Sequence, residues 1–133
     1  MRKKLGILIA AAGLVVPALP VYAHHSFAAE YDASKPIEVK GTVTKVEWTN
    51  PHARFYVDVK DADGKVTNWN FELASPNVLT RNGWTRHALK EGDVVTVQGS
   101  RAKDGDNLAN ARTVIMPDGR KVFAGSASEA DSK

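Results

Sequence analysis

IEVKGTVTKVEW, residues 37–48, is the stretch that decides the fold. Ile37, Val39 and Val43 keep one alternating phase around Gly41, and the apolar phase then slips by one residue to Val46 and Trp48. Successive side chains of a strand point to opposite faces, so a one-residue slip beside a glycine predicts a bulge and a sharp bend. The two halves of such a strand can serve both ends of one sheet.

Working outward, Phe55, Val57 and Val59 alternate with Arg54, Tyr56, Asp58 and Lys60, which predicts a half-buried second strand. Asp61-Ala62-Asp63-Gly64 supplies a turn, and Trp69, Phe71 and Leu73 face inward from a third strand with Asn68, Asn70 and Glu72 on its other side. Ser75-Pro76 reads as an N-cap followed by the first helical residue, and Gly83 as the stop. The short helix between them offers Val78 and Leu79 as apolar contacts. Residues 89–93 turn the chain into a fourth strand over 94–99. Asp104-Gly105 reverses it before a fifth over 111–116, and Pro117-Asp118-Gly119 makes a last hairpin with 121–123. This order predicts an all-β fold, a five- to six-stranded OB-fold-like barrel with one short helix between strands three and four. A small open sandwich of the same strands is the rival, and pairing of the first strand with the fourth separates the two.

The chain has 133 residues, with 18 Lys and Arg against 15 Asp and Glu, and no Cys. Arg2, Lys3 and Lys4 supply the whole excess and precede an apolar run over 5–16, the layout of a secretory signal. Gly13, Pro17 and Pro20 interrupt that run, which is too short for the roughly 20 residues of a spanning helix. Val21 and Ala23 favour cleavage after Ala23, with cuts after Ala18 or Ala28 as alternatives; the last would remove His24 and His25. Residues 1–23 are thus read as a signal peptide, 24–35 as a lead, 36–123 as the barrel and 124–133 as a disordered tail. The mature chain carries 15 basic and 15 acidic groups. Neutrality argues against a nucleic-acid or anionic-membrane partner, because both rely on clustered cations. An exported domain without Cys must hold by its core, which about 110 residues suffice to build.

His24-His25-Ser26-Phe27, Glu47-Trp48, Asn50-Pro51-His52, Trp69 with Glu72, Pro76, Leu79 with Gly83-Trp84, and Leu89 with Gly92-Asp93, Val95, Val97 and Gly99 carry a resemblance. Through most of its mature length the chain resembles a family of small exported bacterial proteins known only as a domain of unknown function. The resemblance implies a periplasmic, barrel-like domain with no established activity. His87 is not part of that pattern.

Cleavage after Ala23 would give His24 a free α-amine beside its imidazole, a chelating pair that with a second imidazole resembles the histidine brace of copper proteins. Such nitrogen ligands suit copper(II) best, with nickel and zinc behind. His25 and His52 are the further candidate ligands, and His87 is the alternative to His52. The competing account leaves the His pair solvated and has His52 bonding a backbone carbonyl. His52 follows Pro51 in a stiff corner at the rim of the OB ligand face, where Trp48 and Asn50 form a candidate binding edge. The lead is expected to start at the opposite end of the barrel from that corner and near His87. Glu47 and Glu72 are expected to be solubilising carboxylates on outer strand faces. Trp69 is expected in the core and Trp84 between helix and barrel.

No nucleophile stands beside a base, no glycine loop cradles phosphate, and the chain is expected to be no enzyme; a histidine-brace copper oxygenase is the remote alternative. The leading expectation is a periplasmic binding or accessory domain that takes copper or another divalent metal. The alternatives are a module for a small molecule, glycan or envelope protein on the Trp48 and Asn50 edge, and a structural partner of an envelope complex.

Overall fold

The computed structural model describes residues 27–125. A single helical turn, α1 (Phe27–Glu30), leads into β1 (Tyr31–Glu47), followed by β2 (Arg54–Lys60), β3 (Val66–Glu72), α2 (Pro76–Arg81), β4 (Val94–Ala102), β5 (Leu108–Ile115) and β6 (Lys121–Phe123). The strands run in the order β3-β2-β1-β4-β5-β6, and β3 also pairs with β5. That last pairing, parallel through Asn70–Leu108, Phe71–Ala109 and Glu72–Asn110, closes the ring. β1 pairs with β4 from Pro36–Ser100 to Thr42–Val94, so the open sandwich is excluded and the barrel stands.

The bend in β1 has the expected cause. Its register against β2 shifts between Val43 and Lys45, leaving Thr44 as the extra residue that moves the apolar phase to Val46. Gly41 is needed for a different reason: a Cβ there would run into the Asp58 carbonyl and the Val57 side chain across the sheet. Gly99 plays the same part on β4, where a Cβ would strike the Asn110 carbonyl next to a second register shift. Both glycines sit where the sheet curls tightly.

Val43, Phe55, Val57, Phe71, Val95, Val97 and Val114 fill the interior. Ser75 caps α2 by accepting from Val78 N, Pro76 occupies its first turn and Gly83 follows with φ +90°, as the sequence predicts. Leu79 and Trp84 carry the helix onto the core, and the Trp84 indole donates to Phe123 O at 2.8 Å. Trp69 is only partly buried, stacked on Phe71 with the Arg101 guanidinium 5.3 Å from its ring.

Two corrections concern the ends. β1 takes in residues 31–35, which the sequence assigns to the lead, because Tyr31 pairs with Ala102 while 32–35 bulge out between that pair and Pro36. Asp32 holds the bulge by accepting from Ser34 N and Oγ. β4 and β5 also run longer than expected, since closure onto β3 and onto the start of β1 gives their polar ends partners. The signal peptide, the cleavage site, His24, His25 and all of the tail beyond Gly125 lie outside the described residues. Among those residues no helix is long and apolar enough to cross a membrane.

Candidate functional site

Arg54 opens β2 directly across from Glu72, the last residue of β3. Both point out of the barrel, on the face of strands two and three with which OB folds take ligands. Glu72 is nevertheless only 7% exposed, because Tyr31, itself 2% exposed, lies over it. The Tyr31 hydroxyl donates to Glu72 Oε2 at 2.9 Å and Arg54 Nη2 donates to the same oxygen at 2.6 Å. Arg54 Nη1 donates further to Asn70 Oδ1 at 3.3 Å. A buried carboxylate is tolerated only when paired and hydrogen-bonded, and this one is both. Burial and the Glu72 charge push the Tyr31 phenol far above its ordinary ionisation range.

His52 stands at the edge of this cluster, half-buried. Its Nδ1 lies 3.0 Å from Leu73 O and 3.9 Å from Glu72 Oε1. A carbonyl oxygen only accepts, so Nδ1 carries the proton, and Nε2 of the neutral ring keeps its lone pair. The bond to a backbone carbonyl is the one the sequence reading allowed for. It leaves the second nitrogen available.

The expected geometry of the lead needs correcting. Tyr31 reaches Glu72, opposite Arg54 and two residues from His52, so the lead enters the barrel beside the His52 corner and not at the far end from it. His87 precedes β4, whereas Tyr31 pairs with Ala102 at the other end of β4, so Tyr31 and His87 lie at opposite ends of that strand. The long, bent β1 is the reason, since it returns its first residue to the β3–β5 seam. Glu72 is likewise no solubilising carboxylate. Glu47 is: it accepts from Lys45 Nζ at 2.6 Å and from the Tyr56 hydroxyl at 3.3 Å, and the Lys45 contact holds its carboxyl below the usual range.

Trp48 and Asn50 part company. Asn50 is exposed and precedes Pro51 through a cis peptide, while Trp48 is partly buried against the core. Trp48 forms one wall of an open hollow of about 610 Å³ that His87 also lines. Among the described residues no three His, Asp or Glu side chains gather closely enough to hold a metal ion. Tyr31, Arg54 and Glu72 escaped the sequence reading as a unit. Two of them were within reach, because the turn after Asp61 fixes the hairpin register that sets Arg54 against Glu72.

A ring of five strands with the β1-β2-β3-β5-β4 circuit and a helix between β3 and β4 defines an OB-type barrel. Residues 11–111 match a family described as a family of unknown function (DUF6152), and the chain belongs to that family. No curated protein matches it. Among solved structures, a mitochondrial single-stranded DNA binding protein of S. cerevisiae, Rim1, is similar at 7% identity and a TM-score of 0.47, over 69% of this chain and 96% of that one.

Proposed function

We propose that the chain is an exported, periplasmic binding or accessory barrel, not an enzyme, that takes copper or another divalent metal on its mature N-terminus. One observation supports this above the others: Tyr31, seven residues after His24, is anchored on Glu72 next to His52. Phe27–Glu30 is a helical turn that rises only about 6 Å and the three residues before it extend by at most about 10 Å, so a terminus at His24 can lie up to about 16 Å from Tyr31, a reach that takes in the neighbouring His52. The ligands would be the α-amine and imidazole of His24, with the imidazoles of His25 and His52. His52 brings a fixed ring, its Nδ1–H held by Leu73 O as a supporting bond that orients a metal-binding imidazole. The all-nitrogen set ranks copper(II) above nickel and zinc.

Native mass spectrometry of untagged protein from the envelope tests the premise, and copper(II) titration tests the site. A mature chain beginning at His24 should bind copper(II) at least tenfold more tightly than the peptide His-His-Ser-Phe, and His52→Ala should reduce it to the peptide's affinity. Affinity no better than the peptide's, or a first residue other than His24, refutes the proposal.

A further inference from the structure

The hollow beside Trp48 carries its own chemistry. Its apolar lining comes from Val46, Trp48 and Leu89, the last 5% exposed. Arg86, His87 and Lys90 stand around the mouth, all exposed. The Arg54, Arg101 and Arg120 guanidiniums each have an acceptor at 2.6 or 2.7 Å, and the Trp84 indole N–H is held by Phe123 O. Among the described residues, the side chains of Arg86 and Lys90, the ring nitrogens of His87 and the Trp48 indole N–H have no protein acceptor. Glu91 also lines the rim and pairs with neither cation. Two permanent cations against one carboxylate leave the mouth positive on a chain whose residues beyond 23 balance to zero.

We propose that this hollow binds a small organic anion with a flat apolar body, an aromatic carboxylate being the simplest member of the class. The body stacks on Trp48 over Val46 and Leu89, and the carboxylate takes donors from Arg86, Lys90 and the indole N–H. A stacked ring supplies area and geometry, and a charge-assisted bond to a cation adds more than a neutral one. His87, absent from the family resemblance, finds a role at this rim as a further donor. Asn50, outside the lining, has none.

Benzoate titration followed by amide and indole NMR tests the assignment. Saturable shifts are expected at the Trp48 indole N–H and at the amides of residues 86–91. Benzamide, which keeps the ring and loses the charge, should bind at least tenfold more weakly, as should benzoate to the Arg86→Ala, Lys90→Ala double variant. Because the Arg86 and Lys90 side chains are exposed, that variant should keep its spectrum elsewhere, and Trp48→Leu, which keeps an apolar side chain against the core, should lose binding. Equal shifts with benzamide, shifts scattered over the surface, or unchanged benzoate affinity in the double variant would overturn the proposal. Copper(II) affinity is measured on the same variants. It should not change in them, so failure of this site and failure of the N-terminal metal site are read separately.

Discussion

Glu72 ties the starts of two strands to the end of β3. One carboxylate oxygen takes bonds from two elements, the first residue of β1 and the first of β2. Glu72→Ala would leave a nearly buried phenol and a half-buried guanidinium without their acceptor. It should cost about 2–4 kcal/mol, read as a lower urea midpoint with an unchanged slope. Glu72→Gln keeps an acceptor for Tyr31 and should cost less. Tyr31 adds a pH signature. Below the ordinary phenol value of about 10 both folded and unfolded chains keep the proton, and its contribution is complete. As pH rises past that value the unfolded chain releases the proton while the folded chain holds it, so stability falls. Urea midpoints measured from pH 8 to beyond 11 should show the gap between the natural chain and Tyr31→Phe narrowing as pH rises. At this scale two of the three residues were legible: strand alternation put Arg54 and Glu72 on one face, and the hairpin register opposed them. Tyr31 was not, since its partner is 41 residues away and no local pattern announces a return across the sheet.

At the scale of elements, β1 explains why the barrel closes. Its apolar slip was visible in the sequence, and the structure supplies the bulge at Thr44 that the slip requires. Its first five residues were not visible as strand, because Asp32, Ser34 and Lys35 are polar and bulge away from β4. The glycines differ in a way that mutation can read. Gly99→Ala must push a Cβ into the Asn110 carbonyl, which belongs to the paired strand and cannot swing aside, and should cost at least about 2 kcal/mol in thermal or urea unfolding. Gly83→Ala meets open space but keeps a left-handed backbone, and should cost about 1 kcal/mol. If the two costs came out equal, close approach at Gly99 would not be the reason for its glycine.

The whole molecule combines a neutral charge balance beyond residue 23 with a β2–β3 face whose Arg54 is already paired with Glu72. Single-stranded DNA needs a row of free cations beside stacking rings. A fluorescent oligothymidylate is therefore expected to show no saturable binding to the chain from residue 24 onward at physiological salt, and micromolar binding would contradict that reading. The fold was legible because turn residues and alternating runs are local signals, while the site depends on which distant strands meet. Closure has a further consequence, in time instead of space. β1 is made first, yet Tyr31 waits for Ala102, and the ring waits for the short parallel seam that Leu108 begins. Contacts so far apart along the chain make folding slow and late. A ribosome delivering this chain from its N-terminus must release it as far as β5 before the ring can close.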